Sequence, residues 1–296
     1  MKNMWIVVTI ALVLVTVGTV AFHIWSPWWF TPIASNWGFI DDTIVLTFWV
    51  TGVVFIAILL FMAYCVMRFR YKEGHRSEYE PENTKLEVWL SVLTGIGVVI
   101  MLAPGLFAWN QFITVPEGAD RVEVMGQQWQ WSYRYPGADG VLGTTSATLI
   151  DEDNTFGVNT NDANGLDDIL IEGDELHLPL GRPVKILLRS IDVLHDFYVP
   201  QFRAKMDMVP GTVTYIWLTP TRIGTFDILC FELCGIGHYN MRSTVVVEEE
   251  ADYQAWLQEQ STFAEIMAEA GRNLGSNADV RLSENTDLSV TSTVTQ

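Results

Sequence analysis

The chain has 296 residues, 49% of them hydrophobic, and a formal net charge of −18. Such an acid excess argues against nucleic acid as a ligand, because phosphate contacts need clustered Lys and Arg, and it favours a basic partner. Three cysteines are too few for a disulfide framework.

Three apolar stretches fill an anchor over residues 1–113, at about 4–25, 43–67 and 86–112. Each meets the ~20 residues that cross a bilayer as a helix. The first follows Lys2 and has two readings, an uncleaved secretory signal or a membrane helix. Its long apolar core and the lack of a small-x-small cleavage site favour the helix. The connection 26–42 has no Lys or Arg, whereas 68–85 carries Arg68, Arg70, Lys72, Arg76 and Lys85. The positive-inside rule then places the N-terminus and the basic connection in the cytoplasm. Everything after about Ile113 falls outside, on the periplasmic face of a bacterial-type inner membrane. Trp25, Trp28, Trp29 and Trp37 suit the outer interface, where indoles settle. Glu87 opens the third helix, and it is either an acid favoured by the helix dipole or the mouth of a proton path. Pro104 and Gly105 predict a bend near the outer end of that helix.

A second domain is predicted over 114–250. Alternating strands are expected at 121–125, 184–189, 212–218, 225–229 and 243–248, with turn signals at Pro136-Gly137, Gly181-Arg-Pro183, Pro210-Gly211 and Gly224. Short strands so spaced suggest an antiparallel sandwich or barrel. The polar stretch 151–168 reads as a surface loop. Within a C-terminal region 251–296, apolar residues at helical spacing predict one amphipathic helix over 251–272, and 273–296 is polar and reads as mobile. After residue 113 there are 28 acidic residues against 11 Lys and Arg, a net charge of about −17. That charge fits steered encounter with a cationic protein, or simply a solvated acidic surface.

The chemistry concentrates in Cys230-Phe-Glu-Leu-Cys234-Gly-Ile-Gly-His238-Tyr-Asn-Met241. Thiolate, imidazole and thioether form a soft donor set that favours copper over magnesium or calcium. Two cysteines in one loop suggest two coppers bridged by both sulfurs, with an isolated disulfide as the bland alternative. A second histidine is needed, and His195, which follows Ile191-Asp-Val-Leu, is the candidate. A sandwich brings distant strand ends to one pole. His23, His75 and His177 lack such a setting. In 127–133, Gln-Gln-Trp-Gln-Trp-Ser-Tyr, aromatic and polar residues alternate as in a strand. Trp129 and Trp131 either fill the core or offer an exposed indole near copper.

With these residues in view, the chain resembles subunit II of haem-copper oxidases of the cytochrome c oxidase type. The motif C-x-E-x-C-x3-H-x2-M is complete, and Asp192-Val-Leu-His195, Lys205-Met-Asp-Met-Val-Pro-Gly211 and Gly126-Gln-Gln-Trp-Gln-Trp-Ser132 also match. The resemblance covers about residues 43–250. It implies a cupredoxin-like Greek-key sandwich carrying the binuclear copper centre called CuA. Cys230 and Cys234 would bridge the coppers. His195 and Met241 would complete one, and His238 with the Glu232 carbonyl the other. The Glu232 side chain would face a magnesium shared with subunit I. Trp129 would receive the electron from a c-type cytochrome, Asp192 would belong to the acidic docking patch, and Glu87 would sit at the mouth of a proton path. Implied partners are subunit I with its haem and CuB, subunit III, the cytochrome and membrane lipid. The resemblance thus implies an oxidoreductase subunit that passes electrons to haem in subunit I, for oxygen reduction coupled to proton pumping. The first helix departs from the family's usual two-helix hairpin. A long 151–168 loop bears on docking, and the lack of C-x2-C-H implies no covalent haem on this chain. Two other functions compete. A nitric oxide reductase subunit would share the motif. A membrane-anchored copper chaperone would have one anchor and a thioredoxin-like βαβ pattern, against three spans and all-β patterning here.

Overall fold

The computed structural model describes residues 3–26, 31–76, 78–79, 81–173 and 175–271. It divides into two compact units, one of residues 1–31 and 38–111, the other of 32–37 and 112–296. Trp28, Trp29 and the tail 273–296 lie outside the described residues.

The first unit is helical: α1 Met4–Trp25, α2 Gly38–Arg68 and α3 Thr84–Ile113. At 1.5 Å per residue, α1 is about 33 Å long, which matches a bilayer's hydrocarbon core of about 30 Å. Almost none of the apolar side chains in the three helices is buried inside the protein. Helices apolar on every face and uncovered by protein suit lipid, not a polar solvent. α2 starts at Gly38, earlier than the apolar pattern predicts, because Asp41 is tolerated in a first turn where the helix dipole favours acids. α3 is capped by Asn83, whose Oδ1 accepts from Leu86 N at 3.1 Å. α3 continues through Pro104. α1 packs on α2, His23 lies 5.6 Å from Phe48, and Arg70 covers the Trp5 ring at 4.2 Å. The start of α1 and the basic connection after α2 therefore share one end of the unit.

The second unit is a two-sheet sandwich. One sheet has the order β3-β2-β1-β5-β8, from Ile169–Glu172, Gln130–Tyr135, Asp120–Gln127, Val184–Ser190 and Thr214–Leu218. The other runs β4-β10-β9-β6-β7, from Leu176–Pro179, Arg242–Glu248, Gly224–Cys230, His195–Val199 and Ala204–Met208. β2 links the two faces: Trp131 meets Phe197 edge-on at 6.0 Å, and Tyr133 bonds Ser243 at 2.8 Å. β5 alternates buried and half-buried along its whole length, with Val184, Ile186 and Leu188 in the core.

Four sequence-based expectations need correction. The sandwich is mixed rather than antiparallel, because β1 pairs β5 and β4 pairs β10 in parallel. Parallel neighbours need long crossovers, and the chain between β1 and β5 supplies one by visiting both sheets. The 151–168 stretch is no surface loop. Phe156, Val158 and Leu166 are fully buried and pack with Met125, Phe263, Ala264 and Met267 as a core cluster. The short helix α4 (Ala163–Leu166), capped by Asp162, turns Leu166 inward. Buried charges close this region: Arg134 bonds Glu123 and Asp168, each at 2.7 Å, and Arg189 bonds Glu123 at 2.9 Å. The C-terminal helix is two helices, α5 (Glu250–Gln258) and α6 (Phe263–Glu269), because a Thr262–Glu265 capping box starts the second. Trp37 is not an interface anchor. It is 1% exposed, donates Nε1–H to the Trp217 carbonyl at 3.0 Å, and belongs to the β unit.

Candidate metal centre

β9 ends on Cys230 and β6 begins on His195, and these strands are antiparallel neighbours with Phe197 opposite Cys230. Adjacent strand ends thus bring together two donors that lie 35 residues apart. The loop leaves β9, passes Cys234, makes one turn of 3-10 helix over His238–Asn240, and rejoins the sheet through Met241. Its ends are tied by Cys230 N–H donating to the Met241 carbonyl at 3.3 Å.

The two sulfurs are 3.7 Å apart. Cys230 Sγ lies 3.8 Å from His195 Nδ1 and 3.3 Å from the Glu232 carbonyl oxygen. Cys234 Sγ lies 3.6 Å from His238 Nδ1 and 3.8 Å from Met241 Sδ. The other four predicted donors therefore surround one sulfur pair, with Glu232 contributing its backbone. His195, Cys234 and Met241 are buried, Cys230 is 8% exposed, and His238 is half-buried. Around them the loop turns apolar side chains outward: Leu233, Ile236 and Tyr239 are 77%, 86% and 82% exposed.

The electrostatics suit a metal. Burial raises the Cys230 thiol, but His195, the Asp196 and Glu232 backbone and His238 outweigh it and hold its pKa down at about 6. Burial and the neighbouring Cys230 push Cys234 up to about 12. One thiolate forms readily, and the second needs a cation to replace its proton. Burial lowers the basicity of His195, yet Cys230 and Asp192 leave its pKa raised. Asp192 accepts from His195 Nε2 at 2.9 Å, which leaves Nδ1 aimed at the sulfurs. Gly126 backs the His195 ring, and a Cβ there would sit 3.3 Å from His195 Cδ2.

The other predicted residues fall in different places. Trp129 is 40% exposed at the tip of the β1–β2 hairpin, while Trp131 is buried, so 127–133 is a turn between two strands and not one strand. The hairpin tip is pinned to the centre. Gln128 N donates to Asp192 Oδ2 and Gln128 Nε2 to the Cys234 carbonyl, each at 2.7 Å. Asp192, predicted to face a partner, thus has both carboxylate oxygens engaged within the chain. Glu87 is in the helical unit, in the first turn of α3. Sequence reading gave no role to Gln128, Gly126 or Gly237. The Gly235-Ile-Gly237 spacing was the available signal, because paired glycines often mark a close approach to backbone.

A sandwich with two cysteines, two histidines and a methionine gathered at one pole has the arrangement of a cupredoxin-type copper domain. The family profile for cytochrome c oxidase subunit II, periplasmic domain, matches residues 121–249. The alternative cytochrome c oxidase subunit 2 of Bradyrhizobium diazoefficiens is 62% identical over 266 residues, covering 90% of this chain and 95% of that one. Cytochrome c oxidase subunit 2 of Cereibacter sphaeroides is 30% identical over 244 residues, covering 77% of each. Among solved structures, the periplasmic domain of subunit II of cytochrome oxidase from Bradyrhizobium japonicum is similar at 26% identity and a TM-score of 0.37, covering 49% of this chain and 95% of that one. The chain belongs to the cytochrome c oxidase subunit II family, and is therefore one subunit of a haem-copper oxidase.

Proposed function

We propose that this chain is the electron-accepting subunit of its oxidase, taking electrons singly from a c-type cytochrome and passing them to haem in subunit I. The observation that carries the reading is the sulfur pair, 3.7 Å apart, with two imidazoles, a thioether and a carbonyl around it. A binuclear copper centre fits that donor set, and Cys230, Cys234, His195, His238, Met241 and the Glu232 carbonyl would hold it. Bound there, the copper pair supplies a one-electron redox couple.

The chain's own residues do the rest. The sheet fixes Cys230 and His195, so the donors need little rearrangement when charge changes. Asp192 holds His195 in one tautomer and one orientation. The full donor set leaves no position open to substrate, which fits a relay, with oxygen reduced to water in subunit I. Trp129, half-exposed and seated on the ligand loop, is the point of electron uptake. The acid excess of the β unit steers a basic donor toward it. The Glu232 carboxylate would help hold a magnesium shared with subunit I. Glu87 marks the mouth of a proton path, as an ionisable residue at the end of a membrane helix. Arg70 over Trp5 supports an N-terminus at the same end as the basic connection, which the positive-inside rule assigns to the cytoplasm, and the β unit is then periplasmic. Subunit III and lipid contact the anchor.

Metal analysis and spectroscopy of the purified full-length chain test this reading. Two coppers per chain, with mixed-valence near-infrared and electron-resonance signals, are expected. One copper per chain overturns the binuclear assignment.

A further inference from the structure

Between the Cys234 and His238 donors the chain reads Gly235-Ile236-Gly237. Gly235 has φ +124°, a conformation that disfavours side chains, so backbone alone accounts for it. Gly237 has φ −90°, which any residue adopts, and its backbone makes no such demand. The demand comes from Trp129. A Cβ at 237 would lie 2.4 Å from Trp129 Cδ2, 2.6 Å from Cγ and 2.8 Å from Cε2. The indole therefore rests against the backbone of Gly237, next to the His238 donor. It is not a flexible tip that can swing aside, because Gln128 ties the hairpin to Asp192 and to the Cys234 carbonyl.

We propose that Gly237 is a positioning residue for electron uptake. Lacking a side chain, it lets the Trp129 indole touch the ligand loop between Cys234 and His238, and this contact sets the coupling between a docked donor and the copper pair. The inference rests on the reading of Trp129 as the point of uptake. In that step one electron leaves the ferrous haem of the donor, which becomes ferric, and reduces the copper pair by one electron. No proton moves, and the indole ends unchanged.

The test is Gly237→Ala in the assembled oxidase, alone and combined with Trp129→Gln. Relief of a 2.4 Å contact to the ~3.5 Å of ordinary carbon contact moves the indole by about 1 Å. After rapid reduction of the cytochrome, electron transfer to copper should slow severalfold, because tunnelling falls exponentially with distance. KM for the cytochrome should stay within about twofold, and the near-infrared and electron-resonance signals should be retained. Added to Trp129→Gln, Gly237→Ala should have no further effect, because the clashing ring is gone. A wild-type rate in Gly237→Ala, where Trp129→Gln is slow, overturns the role of Gly237 alone. A wild-type rate in Trp129→Gln overturns the reading beneath it. Loss of the copper signals in Gly237→Ala, or equal slowing in both backgrounds, assigns the glycine to the ligand loop itself and also overturns the inference.

Discussion

Two long loops of the β unit solve opposite problems. The 231–241 loop buries Cys234 and Met241, half-buries His238, and exposes Leu233, Ile236 and Tyr239. The 143–168 loop does the reverse, with Phe156, Val158 and Leu166 inside and most of its Asp, Asn and Thr side chains at or near the surface. The first is an inside-out segment whose cohesion depends on what its donors bind. The second carries its own small core and needs no ligand. Packing alone fixes the second loop, whereas the first offers its donors to a ligand.

The comparison makes four predictions. Cys230→Ser should strip the first loop of its bridge, abolishing the near-infrared and electron-resonance signals. Turnover should fall more than about 100-fold, since even outer-shell changes at metal sites cost 10- to 100-fold. The second loop should be untouched, with far-ultraviolet circular dichroism unchanged. Phe156→Ala should do the opposite, destabilising the chain by about 3–5 kcal/mol while the copper signals persist below the lowered Tm. If both variants lose copper, the loops are one cooperative structure and the contrast is void.

Asp192→Asn removes an acceptor shared by Gln128, Val193 and His195. Copper affinity, measured by competition with a chelator, should fall about 10- to 100-fold. Unchanged affinity with a raised KM for the cytochrome would assign Asp192 to docking instead. The smallest effect is expected at Asp168. Burial pushes its carboxyl up to about 7, against the Arg134 guanidinium and the Gly143 N–H. An unfolded aspartate titrates near ~3.9. Between about pH 4 and 7 the folded chain keeps a proton that the unfolded chain releases, so this group's stabilisation is full below that window and lost as pH rises through it. Asp168→Asn has no such loss, and the variant's Tm minus that of the native chain should increase from pH 5 to 8. A constant difference would show that Asp168 stays ionised.

The donor cluster of the Cys230–Met241 loop was legible because its chemistry is local. Four donors fall within twelve residues at spacings that few other needs explain, and His195 was found because that set lacked one imidazole. The membrane helices were legible from the length of their apolar runs, and five strands from alternation. Phe156, Val158 and Leu166 were not, because they are scattered among turn residues with no period, and only the arrival of Phe263 and Met267 from α6 makes them a core. The 127–133 hairpin escaped notice because its turn, Gln128-Trp129, has neither Gly nor Asn. The internal partners of Asp192 were not legible, because a carboxylate's partners, here a hairpin tip and a ligand imidazole, appear only in three dimensions.

The short segment 32–37 has a consequence for assembly. Ala34 N donates to the Gln201 carbonyl, Ser35 to that of Phe202 and Trp37 to that of Trp217, and Asn36 accepts from Thr219 N. These residues leave the ribosome before any strand of the sandwich exists, and their partners emerge more than 160 residues later. Closing so long a loop is entropically slow, so this joint can only be among the last to form. A fragment starting at residue 112 would never form it, and would leave the Trp217 face bare. The β domain is therefore not one contiguous stretch of gene. Its final piece is translated first, ahead of the second membrane helix, and waits for the rest.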